Sequence, residues 1–381
     1  MTPTDDEGSA LAPKPVPLLL TRAHRPFFLL TAIYGALAIA IWIVSWRGYG
    51  SATSLWHGHE MIFGFAGAGL AGFLLTAIPN WTKQPPAQGV LLGVLLSLWF
   101  AGRLAIGVEQ LLWLDLLFLP ALGLKALIDI VRARNHRNLI VPVLIFGLAG
   151  FNFMYHFGDP RQALALSVYT LTAMITLIAG RIAPLFTMVK LGIKNEPPLL
   201  RSVRVRLTQI SVPLVLMVGL AEWVFPGTAT AGWIAFGVAI ILGALMLTWH
   251  GYRSFREPLI WIMHAGFIWV PVGFMLKALN EIWNVGTPSS ALHALTAGAI
   301  GGMLLAVSSR AALGHSGKPL EATKLLVLAY LMVIAAAVVR VFAPSNGAID
   351  ASATLWILGF GFYAIVLWPV LTRPRQDGKP G

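Results

Sequence analysis

Long apolar segments recur along almost the whole of this chain and constrain its fold more than any other feature. Each is about 20 residues long, the length a helix needs to cross the roughly 30 Å hydrocarbon core of a bilayer, whereas barrel strands are shorter and alternate. The pattern predicts an all-α polytopic membrane protein. We expect twelve transmembrane helices, at 27–46, 58–78, 88–107, 110–129, 139–157, 163–187, 208–225, 231–249, 259–280, 291–311, 322–342 and 352–371.

Composition agrees with this fold class and indicates a single domain. Hydrophobic residues make up 57% of the 381 residues and charged residues only 11%, which excludes a water-soluble globular protein. No long polar linker divides the chain, so we expect one transmembrane domain over 27–371, with an N-terminal tail over 1–26 and a C-terminal tail over 372–381. The N-terminal segment is too polar and too proline-rich for a cleaved secretory signal.

The distribution of basic residues indicates membrane topology rather than nucleic-acid binding, despite a net charge of +12. Of the Lys and Arg residues in the tails, the loops and the helix ends next to them, nineteen fall on the side of the N-terminus and only Arg47 and Arg161 on the other. Cytoplasmic loops carry such an excess, so both termini are predicted to be cytoplasmic.

A faint internal similarity links three of the predicted helices. "LTAIPNWT" (Leu75 to Thr82) closes the second and "GRIAPLFT" (Gly180 to Thr187) closes the sixth, and Arg310 in the tenth occupies a place like that of Arg181. This spacing indicates three pseudo-repeated four-helix units, although a chance match among apolar sequences is an equal alternative.

Histidines and other ionisable residues gather at the outer ends of the predicted helices. Buried charge in a membrane needs a partner, water or a ligand, so the gathering marks a candidate site. Because the chain has no cysteine, a metal there must bind His, Met or carboxylate. The candidate ligands are His57, His59, His156 and His293, and nearby lie Glu60, Arg103, Glu222, Lys277, Asn280, Glu281 and Arg340.

A second group of histidines falls at the inner ends of the helices and includes His250, His264 and His315. A single histidine in a membrane helix more often forms a structural hydrogen bond than binds a metal. His24, which stands beside an arginine, has the sequence context of an ordinary interfacial residue.

The segment "WHGHE" leaves two arrangements open. Residues two apart on a helix point about 200° from each other, so His57 and His59 cannot reach one ion from a regular helix. Either Gly58 keeps the chain extended, or the two rings serve different centres. Glu60, three residues after His57, would share its helical face. The glycines that follow, from Gly64 to Gly72, suit close helix packing or a flat macrocycle.

Four segments resemble the signature sequences of the NnrS family. They are "RPFFLL" (Arg25 to Leu30), "WHGHEMIFGFAGAGLAGFLLTAIPNWT" (Trp56 to Thr82), "GRIAPLFT" (Gly180 to Thr187) and "LHALTAGAIGGMLLAVSSRAALGHSG" (Leu292 to Gly317). The resemblance implies a bacterial inner-membrane protein with twelve helices that contains haem and copper and acts in denitrification and relief of nitric oxide stress. The histidines in the matching segments, carried over as functional positions, are His57, His59, His293 and His315.

We therefore predict a protein that binds haem b and copper and that binds, and reduces or detoxifies, nitric oxide. His59 and His293 are the expected ligands of the outer centre, with His57 and His156 as further ligands of haem or copper. His264 and His315 are further cofactor candidates, and Arg103 and Arg340 are candidates to contact haem propionates. Glu60 and Glu281 are the candidate proton carriers.

The sequence leaves open the electron donor and whether nitric oxide is turned over. Haem-copper oxidases and related nitric oxide reductases also hold a haem between histidines of their second and tenth helices, but this is an analogy of fold alone. A quinol or a small redox protein could donate electrons. A haem-copper sensor or scavenger that does not turn nitric oxide over, and a membrane transporter, are the alternative functions.

Overall fold

The computed structural model of the chain describes residues 16–343, 345–375 and 377, and within these ranges its regular structure is entirely helical. Eleven helical segments there are long and apolar enough to cross a membrane, and a twelfth, α3, is shorter. The predicted all-α polytopic membrane fold is confirmed. The segments are α1 His24–Trp46, α2 Ser54–Thr82, α3 Gly89–Ala105, α4 Glu109–Arg132, α5 His136–Phe157, α6 Pro160–Lys190, α7 Pro198–Val224, α8 Ala229–Leu247, α9 Pro258–Trp283, α10 Pro288–His315, α11 Lys324–Phe342 and α12 Asn346–Leu371.

Local sequence signals explain where the helices begin. The Thr53 hydroxyl accepts a hydrogen bond from the Trp56 N–H (3.1 Å) at the start of α2, and the Asp159 carboxylate accepts from the Arg161 N–H (2.9 Å) at the start of α6. Such side chains satisfy N–H groups that have no partner inside the helix. Proline is the first residue of α6, α7, α9 and α10, where its missing N–H removes no helical hydrogen bond.

The two ends of the described chain meet on one side of the bundle. α1 packs along α12, and Nη1 of Arg25 donates to the carbonyls of Leu371 and Arg373, at 2.8 Å each. α1 begins at His24, inside the tail predicted for 1–26, because His24 and Arg25 are buried against the end of the bundle instead of lying in water. Residues 1–15, 376 and 378–381 of the predicted tails lie outside the described residues. We call this side the terminal end and the opposite side the histidine end.

Four helices form the interior of the bundle. In the most apolar parts of α2, α6, α9 and α10, 61–78% of the residues are buried inside the protein. The corresponding share is 33–39% in the other long helices, which surround them. α2, α6 and α10, the helices linked by the faint internal similarity, are the three most buried. The pseudo-repeat itself stays a prediction.

Small residues let the inner helices approach closely. A Cβ atom at Gly64 would lie 2.5 Å from Tyr34 on α1, one at Gly69 would lie 2.6 Å from Leu304 on α10, and one at Gly72 would lie 2.7 Å from Phe28. All three distances are shorter than real contacts allow, so a larger residue would push the helices apart. The glycine run of α2 is therefore used for helix packing.

The same constraint gives a prediction at Gly298 of α10. A Cβ atom there would lie 2.3 Å from Cγ of the buried Trp269, so Gly298→Val should lower the free energy of unfolding by about 1–3 kcal/mol through overpacking. Gly237→Ala on α8 is the matched control, because nothing lies within 4 Å of the added Cβ. Thermal unfolding in detergent compares the two, and equal loss in both would contradict this packing.

Candidate functional site

α2 is a regular α-helix from Ser54 to His59, and this decides between the two arrangements left open for "WHGHE". The chain is not extended at Gly58, where a Cβ atom would lie 2.8 Å from Cδ1 of Leu164 on α6. His57 and His59 therefore point to opposite faces of α2 and enter two different sites.

π-helical turns follow the candidate histidines on both α2 and α10. Glu60–Ala66 comes directly after His59, and Ala294–Gly301 comes directly after His293. Such turns are rare in proteins, and those that occur are frequently found at functional sites. Glu60 contacts the ring of His59 and not that of His57, whose helical face it was expected to share.

One site is a buried polar cluster at the histidine end. Its centre is Asp115 of α4, whose Oδ2 atom lies 3.0 Å from Nε2 of His59 and 3.0 Å from Nε2 of His156. The side-chain amide of Asn152 donates to the same oxygen at 2.9 Å. We define the buried polar cluster as His59, Glu60, Arg103, Asp115, Asn152 and His156.

Charged groups in the buried polar cluster are paired with one another. Arg103 of α3 contacts both carboxylates, through Nε at 3.0 Å from Oε2 of Glu60 and through Nη2 to Oδ1 of Asp115. Tyr34 donates its hydroxyl to Glu60, whose other oxygen lies 2.7 Å from Nδ1 of His59. His59 and Glu60 are both 0% exposed, so these contacts replace the water that the charged groups have lost.

The second site is a cavity of about 460 Å³ between α2 and α10. We call it the α2/α10 cavity. Its walls are mostly apolar, and two imidazoles and two guanidinium groups reach it from four helices. The residues that line it include Trp42, His57, Arg161, His293, Arg340 and Trp356.

The two imidazoles of the α2/α10 cavity are held differently. The His57 ring stacks on Trp42, with centroids 4.9 Å apart, and its buried Nδ1 has no hydrogen-bond partner among the described residues. Nδ1 of His293 lies 2.8 Å from the carbonyl of Ser289, and Nε2 of the same ring has no hydrogen-bond partner among the described residues. Arg340 donates to the Ser289 hydroxyl at 3.0 Å.

The four outer histidines therefore lie at one end but form two pairs that differ from the predicted one. His59 and His293 were expected to bind the same centre, whereas the structure places His59 with His156 and His57 with His293. The cause is the regular helix at the start of α2, which separates His57 from His59.

The remaining predicted residues lie apart from both sites. Glu281 on α9 pairs with Lys277, which also contacts Glu222 on α7. At the terminal end, His264 shares a hydrogen bond of 2.8 Å with Thr187. The roles proposed for these residues stay predictions.

His315 lies beside His24, which was predicted to be an ordinary interfacial residue. Its ring centroid is 5.2 Å from that of His24, which is only 1% exposed and has both ring nitrogens unpartnered within the described ranges. Nothing in the sequence distinguished His24 from His136, which also stands beside an arginine.

Three residues in or beside the buried polar cluster were not among the candidates predicted from the sequence. Asp115 is the most important, and a signal existed, because a carboxylate inside a predicted membrane helix indicates a functional site. Asn152 and Tyr34 carry no comparable signal, since neutral polar residues are common in membrane helices.

Comparison with known families gives one match, which extends over nearly the whole chain. The NnrS protein family matches residues 18–375. The chain belongs to the NnrS family. No curated protein matches it. The family assignment therefore rests on a match that includes every helix from α1 to α12 and both candidate sites.

Proposed function

We propose that this NnrS-family chain binds haem b in the α2/α10 cavity and uses it to bind and reduce nitric oxide. The observation that supports the proposal best is the meeting of His57 and His293, from two inner helices, in one apolar cavity of about 460 Å³. Cavities of about 300–1,000 Å³ with apolar walls and a few polar groups are typical of cofactor sites. In the cell the protein would relieve nitrosative stress during denitrification.

The residues present fit a haem. The imidazole rings of His57 and His293 are ligands of the kind that haem iron takes, since Nε2 of neither ring has a hydrogen-bond partner among the described residues, and a pyrrole macrocycle suits the apolar walls. Arg161 and Arg340, both at the cavity, would pair with the propionates. Bound haem would supply an iron able to accept nitric oxide and an electron.

The protein side chains would then have separate tasks. His293 is anchored through Ser289 and would hold its position, whereas the ring of His57 stacks on Trp42, has no such anchor among the described residues and would be the less constrained of the two. Glu60 is the proposed proton carrier and lies in the buried polar cluster, where it contacts His59, Arg103 and Tyr34. Electrons would come from a quinol or a small redox protein.

We also propose a bacterial inner-membrane location with both termini in the cytoplasm. Support comes from the meeting of the chain ends on one side of the bundle and from the excess of Lys and Arg on that side. Copper is the second cofactor of the proposal, since imidazole is a suitable ligand for it and the chain has no cysteine.

An optical and a kinetic measurement on the purified protein test the function. We expect a Soret band that shifts when nitric oxide is added to the reduced protein, and steady anaerobic consumption of nitric oxide when a quinol is supplied. Consumption that stops after one equivalent would favour a sensor or scavenger. Absence of the Soret band from protein purified with haem supplied would overturn the proposal in favour of a transporter.

A further inference from the structure

We propose that His59, Asp115 and His156 bind one divalent transition-metal ion in the buried polar cluster, separately from the α2/α10 cavity. The ligand atoms would be Nε2 of each histidine and a carboxylate oxygen of Asp115. The site deepens the proposed function and rests on it for the preference for copper, but the metal content can be measured independently of haem.

The three ligand atoms already converge on one point. Both Nε2 atoms lie 3.0 Å from Oδ2 of Asp115, and all three atoms lie within 4.8 Å of one another. Metal–ligand bonds of about 2.0–2.2 Å in a tetrahedral site separate neighbouring ligand atoms by about 3.3–3.6 Å. To admit an ion, the two 3.0 Å distances to Asp115 would lengthen by a few tenths of an ångström, and the two histidine nitrogens, at most 4.8 Å apart, would approach by up to about 1.5 Å.

The surroundings of His59 are those of a metal ligand. Its other nitrogen, Nδ1, lies 2.7 Å from Oε1 of Glu60, and such a carboxylate fixes the tautomer and orientation of an imidazole whose Nε2 binds a metal. Arg103 and Tyr34 hold Glu60 in turn. The side-chain oxygen of Asn152, 3.0 Å from Nε2 of His59, is available as a further ligand.

Charge in the cluster also favours a cation. Glu60 and Asp115 are two buried carboxylates, and the guanidinium of Arg103 balances only one of them. Both ring nitrogens of His59 face carboxylate oxygens, Nδ1 that of Glu60 and Nε2 that of Asp115. An ion bound at Nε2 would therefore lie beside Asp115 and supply positive charge that Arg103 alone does not provide for two carboxylates.

An access route reaches the site from the histidine end. A wide recess of about 890 Å³ is lined by Thr53, Trp56, Tyr155 and His156, so one proposed ligand forms part of its wall. His59, by contrast, is fully buried behind it. Two imidazoles and one carboxylate suit iron(II), copper(II) and zinc(II). These three ions are the class we assign.

Metal titration of the full-length protein tests the site. Chelator-treated protein is given copper(II), zinc(II) or iron(II) in turn, without oxygen for iron, and bound metal and haem are measured per chain by mass spectrometry and absorbance. We expect one equivalent of at least one ion beyond haem iron, and hyperfine coupling from two nitrogens in the electron paramagnetic resonance spectrum of the copper form. Glu60→Gln should weaken binding by about 10–100-fold and His156→Gln by more.

Matched variants separate this proposal from that of the haem. His156→Gln, whose polar contact is with Asp115, should lose the metal and keep haem, whereas His57→Gln in the α2/α10 cavity should lose haem and keep the metal. Asp115→Asn serves as a second ligand variant if it elutes as folded protein. Failure of all three ions to bind wild-type protein, or unchanged binding in His156→Gln, would overturn the site. Absence of haem beside a normal metal equivalent would count against the proposed function alone.

Discussion

Purified His293→Ala protein should contain little haem, with the Soret absorbance per chain reduced by about tenfold or more. Losing a ligand should exceed the 10–100-fold effect typical of residues that only orient ligands. His57→Ala should have a similar effect, because both rings enter the α2/α10 cavity and no other histidine lines it in the part of the chain that the structure describes. Haem is measured by absorbance of its pyridine complex against total protein.

The control for these variants is His264→Ala. His264 lies at the terminal end and is hydrogen-bonded to Thr187, so its removal should leave haem content unchanged. Full haem in both His57→Ala and His293→Ala would exclude the α2/α10 cavity as the haem site. Loss of haem in His59→Ala together with retention in His57→Ala would restore the assignment made from the sequence.

The fold could be predicted from the sequence because the bilayer leaves few choices. Backbone groups in hydrocarbon must be paired within the segment, so each apolar run of sufficient length becomes a helix. The prediction located all twelve segments, and most differences concern helix ends. The largest difference is at the start of α7, which begins at Pro198 instead of 208 because polar residues continue the helix beyond its apolar part.

The candidate site was predictable in its depth but not in its pairings. Topology alone places His57, His59, His156 and His293 at the histidine end, as the structure has them. Which rings meet depends on the rotation of each helix about its axis, and that is set by packing between helices that are distant in sequence. The π-helical turns after His59 and His293 add a rotation that apolar sequence does not encode in a recognisable pattern.

Asp115 shows the same limit most clearly. It reaches the buried polar cluster because α3 and α4 pack closely at Gly102, where a Cβ atom would lie 2.8 Å from Oδ1 of Asp115. The sequence contains both residues, but only the packed helices bring the carboxylate between the rings of His59 and His156. The charge itself was the usable signal, since an unpaired carboxylate would not remain inside the bundle.

Arg103→Met should be among the most destabilising single substitutions in the chain, lowering the free energy of unfolding by about 3–5 kcal/mol. It leaves Glu60 and Asp115, both buried, without the guanidinium that contacts them, and removing one partner of a buried ion pair has an effect of this size. Unfolding by heat or by sodium dodecyl sulfate in mixed micelles measures the loss.

Two further variants show whether charge is the cause and whether Arg103 has a role in haem binding. Arg103→Lys keeps a positive charge but cannot contact both carboxylates in the same way, so its loss of stability should be clearly smaller. Arg340→Met removes a hydrogen bond to Ser289 and no ion pair among the described residues, so the free energy of unfolding should fall by only about 1–2 kcal/mol.

Because Arg103 lies in the buried polar cluster and does not line the α2/α10 cavity, Arg103→Lys should keep its haem. Loss of haem in Arg103→Lys with normal stability would instead support the propionate contact expected from the sequence. Equal destabilisation by Arg103→Lys and Arg103→Met would show that contact with both carboxylates, more than the positive charge, stabilises this end of the bundle.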